Sequence, residues 1–167
     1  MDLFSIFRKK REKQITDSTI LWEDDYLMIE FLSRRNLEHV IKETKKINNF
    51  SNEHYDGNGF TEITEFQSGN IKTADLSINL IDLITAIEQI GMKRIEKVLY
   101  DGKPIDSKRT IVYGENKNGL YLDHENGVVT DIWLAFYQSH LLPESVFLES
   151  LKLIGYKYDM ILVDWSR

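Results

Sequence analysis

The 167-residue chain contains no cysteine and only two prolines and nine glycines. The lack of cysteine excludes disulfides, thiolate nucleophiles, iron–sulfur clusters and every cysteine-ligated zinc site. The scarcity of proline and glycine excludes collagen-like and linker-like segments. No apolar run approaches the roughly 18 residues of a membrane-spanning helix. We therefore expect a globular protein of a reducing compartment, the cytoplasm.

Motifs for cofactor or metal chemistry are missing as well. The sequence has no phosphate-binding glycine loop, dinucleotide fingerprint, nucleophile elbow or zinc-protease motif. The segment Asp56-Gly57-Asn58 opens like a calcium loop, but Thr61 replaces the required glycine and Gln67 replaces the final glutamate. We expect no cofactor and no metal, and the sequence favours a non-enzymatic protein over an enzyme.

Acidic charge is the clearest feature of the composition, with a formal net charge of −6 at pH 7. Residues 1–13 carry five basic and two acidic side chains, so the rest of the chain has a net charge of −9. Such a body disfavours nucleic acid, because binding phosphates requires a cationic surface. It favours a basic protein partner, or it serves solubility alone.

The chain divides into a basic amphipathic N-terminal segment, residues 1–14, and a single domain, residues 15–167. The segment has one apolar turn followed by bases, which is typical of a membrane-surface anchor or of a terminal helix that docks or frays. Because one apolar turn anchors weakly, we expect no membrane attachment. The charge follows the apolar residues, whereas in a secretory signal it precedes them.

Hydrophobic periodicity predicts three main helices, at about residues 35–50, at 79–90, and from near Pro143 to Gly155. The first helix should turn inward Leu37, Val40, Ile41, Ile47 and Phe50. Strands are predicted at 20–22, 26–32, 60–67, 95–100 and 158–165, the last of which is apolar enough to lie inside a sheet. Since helices and strands do not strictly alternate, we expect an α+β fold with a mixed, largely antiparallel sheet.

A three-stranded antiparallel meander is predicted at the C-terminal end of this sheet. Asn118-Gly119 and Asn126-Gly127 are typical of two-residue type I′ turns, which places the strands at about 109–117, 120–125 and 128–137.

The register of this meander places a group of reactive side chains on one face of the sheet. They are Tyr113, His124, Asp131 and Trp133. A histidine oriented by an aspartate resembles an acid–base cluster, so His124, Asp131 and Tyr113 are candidate catalytic residues. The alternative is a polar face that binds a partner.

Two acidic stretches suit a protein interface. The turn Glu23-Asp24-Asp25 and the loop His54-Tyr55-Asp56 combine carboxylates, which steer encounter, with an aromatic anchor. Together with Trp133 they form the predicted partner-binding set, and ordinary solvated loops are the alternative.

Three stretches carry a resemblance to a known group of proteins: Leu3 to Lys10, Trp22 to Tyr26, and Tyr158 to Trp165. They resemble the small acidic bacterial immunity proteins found beside polymorphic or contact-dependent toxins. The resemblance implies a cytoplasmic inhibitor that binds a basic toxin domain, with no chemistry of its own. Two alternatives stay open: a small hydrolase-like enzyme with its site around His124 and Asp131, and a membrane-surface scaffold or regulatory module held by residues 3–13.

Overall fold

The computed structural model describes residues 18–21, 26–57, 61–62, 65–100, 103–104, 108–115, 118–136 and 145–165. The N-terminal segment 1–14 and the acidic turn 23–25 lie outside these residues. The described strands are β1 Ser18–Leu21, β2 Ile29–Ser33, β3 Arg94–Ile95, β4 Lys97–Tyr100, β5 Lys103–Pro104, β6 Thr110–Glu115, β7 Asn118–Glu125, β8 Val128–Phe136 and β9 Met160–Asp164. The described helices are α1 Leu37–His54, α2 Leu80–Gln89 and α3 Ser145–Lys157, with 3-10 turns at Arg34–Asn36 and Thr73–Leu76. None of these helices is both long and apolar enough to cross a membrane.

The strands form two sheets, and the predicted α+β class is confirmed. Six strands in the order β3-β6-β7-β8-β2-β9 make an antiparallel sheet that contains the predicted meander, β6-β7-β8. A small sheet has the order β1-β4-β5, with β1 parallel to β4. The prediction that the last strand lies inside a sheet is wrong, because β9 is an edge strand among the described residues. Its apolar residues reflect the packing of both of its faces, which needs no second neighbouring strand.

Helices cover both faces of the large sheet. On the face that we call the helix face, α2 and α3 enclose the main core, which includes Phe31, Leu83, Leu122 and Ile154. On the opposite face, which we call the aromatic face, Val98 of β4 packs near Trp133, and α1 packs over the β2–β9 end through Val40.

The predicted inward stripe of α1 is only partly confirmed. Val40 is buried, whereas Leu37 and Ile41 are 43% and 48% exposed. The helix is rotated so that Glu43 lies on its buried side, where its carboxylate accepts a hydrogen bond from Lys46 at 2.9 Å. For α2 the local sequence signals agree with the structure. The Asn79 side chain accepts hydrogen bonds from the backbone N–H groups of Ile81 and Asp82, and the helix ends just before Gly91.

One of the two predicted Asn-Gly turns is confirmed and the other is wrong. Asn126 and Gly127 have φ values of 51° and 80° and connect β7 to β8, as a type I′ turn requires. Asn118 and Gly119 instead lie within β7, paired with Glu115 and Gly114. Gly119 is needed there for space, because a Cβ atom would lie 2.5 Å from the ring of Tyr121.

The predicted strand at 60–67 is not present in the described residues of that stretch. Residues 61–62 form a bend and 65–67 have no regular structure. Phe66 nevertheless packs inward, because its ring stacks on Trp165 at 4.7 Å.

Candidate protein-binding face

The register of the meander separates the four side chains that were predicted to share a face. Since Tyr113 pairs with Leu120, and His124 with Val129, these two residues lie on the helix face. Asp131 and Trp133 lie on the aromatic face, on which Trp133 pairs with Tyr121. The predicted face is therefore wrong, because the ladder shifts by one residue between Asp123 and His124 and places Asp131 and Trp133 on the face opposite Tyr113 and His124.

Tyr113 lies in the core of the domain. Its side chain is fully buried, and its hydroxyl donates to Oε1 of Glu88 on α2 at 2.7 Å. Burial, and then the hydrogen bond and charge of Glu88, raise the pKa of Tyr113 far above its ordinary value. His124 is half-buried, and its backbone N–H donates to the Arg109 carbonyl at 2.8 Å. The two side chains do not form a site with Asp131.

An irregularity in the β7–β8 ladder creates a different arrangement. The register shifts between Asp123 and His124, so that Asp123 pairs directly with Asp131. Beta-bulges insert one extra residue and redirect the side chains that follow. Two carboxylates opposite each other are destabilising unless other groups compensate for their repulsion. Here the two aspartates place negative charge on the aromatic face.

Hydrogen bonds stabilise the first of these carboxylates. Asp123 accepts from the Thr110 hydroxyl at 2.5 Å and from the indole N–H of Trp133 at 2.9 Å. Burial, and to a smaller extent the charge of Asp123, raise the pKa of Asp131, while the Thr130 hydrogen bond and the charge of Lys72 oppose that rise. Both aspartates are half-buried, so both are partly exposed to solvent.

Three aromatic rings adjoin these carboxylates. Tyr121 and Trp133 stack with ring centroids 3.9 Å apart, and Tyr26 meets Trp133 edge-on at 5.1 Å. Trp133 is only 2% exposed, and its membership of the partner-binding set stays a prediction. Tyr26, by contrast, is 50% exposed.

A third carboxylate, Glu30 of β2, lies on the same face and was missed by sequence reasoning. It is 4% exposed and accepts hydrogen bonds from Ser68 at 2.5 Å and from the Trp165 indole at 2.8 Å. Burial raises its pKa, the two hydrogen bonds oppose the rise, and the charge of Asp131 adds to it. The available signal was the single charge in an otherwise apolar strand, since a buried carboxylate is costly unless partnered.

The negative charge of these carboxylates affects the ionisation of the Tyr26 hydroxyl. Burial, followed by the charges of Asp123, Asp131 and Glu30, raises the pKa of the Tyr26 hydroxyl. The face thus combines an accessible aromatic ring with negative charge held in a partly apolar setting. That combination attracts a guanidinium or ammonium group, since the ring face and the carboxylates both favour a cation.

The predicted loop at residues 54–56 lies at the C-terminal end of α1, with His54 as the last helical residue. His54 stacks on Phe50 at 4.2 Å and its Nδ1 atom is 3.7 Å from a carboxylate oxygen of Glu62. Tyr55 is 55% exposed and Asp56 is exposed. The structure therefore offers two exposed tyrosines of similar accessibility, Tyr26 and Tyr55, in different surroundings.

Among the residues that the structure describes, no group of three or more histidine, aspartate or glutamate side chains is arranged to hold a metal ion. Comparison with known proteins gives no family: no family model, no curated protein and no solved structure matches the chain. The carboxylates and rings of the aromatic face are therefore interpreted from their own geometry.

Proposed function

We propose that this chain is a cytoplasmic binding protein of the immunity type, which inhibits a basic toxin domain by occluding it. The observation that carries the proposal is the position of Tyr26, half-exposed and under the influence of three carboxylates on the aromatic face. The resemblance of the sequence to acidic immunity proteins points in the same direction.

A basic side chain of the partner is the group that fits this face. An arginine laid against the Tyr26 ring would gain a cation–π contact, and its guanidinium would lie close to Asp131. Because Asp131 is half-buried, that attraction is less screened than it would be at an open surface. Occlusion then follows if the arginine belongs to the cationic cleft of the toxin.

Charge distribution supports the same partner. The chain outside residues 1–13 carries a net charge of −9, which accelerates encounter with a basic protein. Three further acidic residues, Glu23, Asp24 and Asp25, directly precede Tyr26 in the sequence.

The two other hypotheses have less support. The hydrolase-like enzyme required His124 beside Asp131, and these residues lie on opposite faces of the sheet. The membrane scaffold depends on residues 3–13, which lie outside the described part of the chain.

The proposal is tested with the protein encoded by the adjacent upstream gene. We expect the purified chain to bind that protein and to protect cells that express it. Tyr26→Ala should weaken the complex by about tenfold or more, since aromatic anchors at interface centres contribute about 2 kcal/mol. Asp131→Asn should slow association and reduce its dependence on salt.

Tyr55→Ala is the matched control, because Tyr55 is about as exposed as Tyr26 and directly follows α1. We expect it to change affinity by less than about threefold. If Tyr55→Ala abolishes binding while Tyr26→Ala does not, the interface is the loop at residues 54–56 and the aromatic face has no role. Absence of both a complex and protection refutes the immunity function.

A further inference from the structure

The two Asn-Gly dipeptides of the meander have the same local chemistry but opposite surroundings. Asn126 and Gly127 are exposed and connect β7 to β8, whereas Asn118 and Gly119 are buried within β7. Asparagine is a thermolabile residue, because the backbone nitrogen of the next residue can attack its side-chain amide. Glycine in that next position hinders the attack least, since it has no Cβ atom. The same reactive dipeptide therefore occurs in two environments of one fold.

The backbone nitrogen of Gly127 lies outside the hydrogen bond that closes its turn. In a two-residue turn this bond joins the first and fourth residues, which here are Glu125 and Val128. Only the carbonyl of Gly127 is engaged with a neighbouring element, since it accepts a hydrogen bond from the N–H of Leu80 at 3.0 Å. The two atoms that must meet, the Gly127 nitrogen and Cγ of Asn126, thus belong to exposed residues.

The backbone nitrogen of Gly119 is in the opposite situation. Gly119 pairs with Gly114 of β6 on one side and with Ala135 of β8 on the other, so its N–H faces a paired strand in either direction. The preceding Asn118 is only 5% exposed. Attack at Asn118 would require strands of the meander to separate, whereas attack at Asn126 requires only its turn to open. Exposed turns open with much less free energy than core strands do.

We propose that Asn126 is a site of spontaneous deamidation in the folded protein, and that burial within β7 protects Asn118. The Gly127 nitrogen forms a bond to Cγ of Asn126 and loses its proton, while the bond from Cγ to the amide nitrogen breaks and ammonia leaves. Water then opens the resulting cyclic imide at one of its two carbonyls. One opening gives aspartate, and the other gives isoaspartate, in which the main chain runs through the former side chain.

Isoaspartate at position 126 would alter a turn that is attached to α2. The N–H of Leu80, the first residue of α2, donates to the Gly127 carbonyl at 3.0 Å, and the N–H of Val129 donates to the Ile78 carbonyl at 3.0 Å. Isoaspartate adds one carbon atom to the main chain of the turn, and loop length determines the turn type. The modification therefore weakens the attachment of α2 to the meander.

The test follows deamidation of the full chain at mildly alkaline pH by peptide mass spectrometry. Chymotryptic cleavage after Tyr121 places Asn118 and Asn126 in different peptides, and Asn58-Gly59, which lies outside the described residues, is in a third. In buffer, we expect Asn126 to deamidate at least about tenfold faster than Asn118, because only the turn opens readily. In guanidinium chloride above the unfolding midpoint, the two rates should agree within about threefold, since both asparagines precede glycine.

Equal rates in buffer or a faster rate at Asn118 would overturn the proposal. So would an Asn126 that stays intact in the folded protein while it reacts in the unfolded chain.

Asn126→Gly is the matched control for the effect on α2, because glycine adopts the positive φ of residue 126 and carries no amide. All other asparagines age in this variant as they do in the wild type. The melting temperature should therefore fall on ageing by about 2 °C or more further in the wild type than in Asn126→Gly. Fresh Asn126→Asp, which has the added charge but an unaltered main chain, should melt close to the fresh wild type. An equal fall in the wild type and in Asn126→Gly would refute the effect on α2.

Discussion

Replacement of Trp165 by phenylalanine should destabilise the fold in a pH-dependent manner. The Trp165 indole donates to the buried Glu30 carboxylate at 2.8 Å, and its ring stacks on Phe66. Phenylalanine keeps an aromatic ring for the stack but has no donor. Of the two side-chain hydrogen bonds to the Glu30 carboxylate in the described residues, only the one from the Ser68 hydroxyl would then remain.

The size of the effect follows from the protonation state of Glu30. A hydrogen bond to a charged group contributes about 1.5–3 kcal/mol, whereas one between neutral groups contributes about 1 kcal/mol. The smaller ring adds a packing loss that is the same at every pH. We therefore expect the loss of unfolding free energy to be larger by about 0.5–2 kcal/mol when Glu30 is ionised than when it is protonated.

The direction of the pH dependence can be derived explicitly. Burial already raises the folded-state pKa of Glu30, and the Trp165 bond opposes that rise. Trp165→Phe raises this pKa further, while the pKa in the unfolded chain is unchanged. The additional loss is thus absent at acid pH, where the carboxyl is protonated in both folded proteins. It grows as the pH rises through the two folded-state pKa values and is complete above them.

Urea unfolding followed by circular dichroism, at about pH 8 and about pH 4, measures the difference. Glu30→Gln provides the control, because it removes the ionisable group from the same pocket. In that background the cost of Trp165→Phe should be equal at both pH values. An equal cost at both pH values in the wild-type background would refute the reasoning, as would a cost that stays pH-dependent in Glu30→Gln.

Two further predictions concern positions where backbone geometry sets the outcome. Gly119→Ala should lower the unfolding free energy by about 1–3 kcal/mol, because the new methyl group displaces the Tyr121 ring. Gly155→Ala should raise the unfolding free energy by about 0.5–1 kcal/mol, because its new methyl group in α3 meets no atom closer than 3.5 Å. Thermal melts that give both substitutions the same sign would contradict this. Asn126→Ala should cost about 1–2 kcal/mol because residue 126 has a positive φ of 51°, and Asn126→Gly should be nearly neutral, as judged by urea unfolding.

The parts of the fold that sequence predicted well are those governed by local signals. The helix predicted at 79–90 is α2, since a capping asparagine, regularly spaced apolar residues and a terminal glycine all act within one element. Asn126-Gly127 forms its turn for the same reason. Asn118-Gly119 carries an identical local signal, but β6 and β7 pair Glu115 with Asn118 and Gly114 with Gly119, so both residues belong to β7, where Gly119 leaves room for the Tyr121 ring.

The candidate face depended on information that is not local. A one-residue shift at Asp123 places two aspartates opposite each other, and no periodicity in the sequence encodes that shift. The prediction of the inward stripe of α1 was incomplete for a similar reason. The apolar residues of α1 fit two rotations of the helix, and packing against β2 and β9 selects the rotation that exposes Ile41. Hydrophobic pattern reports how much of an element is covered, but not by which neighbour.

The position of β2 has a consequence for how the protein is made. Glu30 and Trp165, which hydrogen-bond in the folded state, are separated by 135 positions along the chain, and both strands beside β2 come from the second half of the sequence. During synthesis, β2 therefore emerges long before either neighbour exists. Its apolar side chains and its backbone edges must wait for these later strands, which predicts slow, chaperone-sensitive folding that is completed only after β9 has left the ribosome.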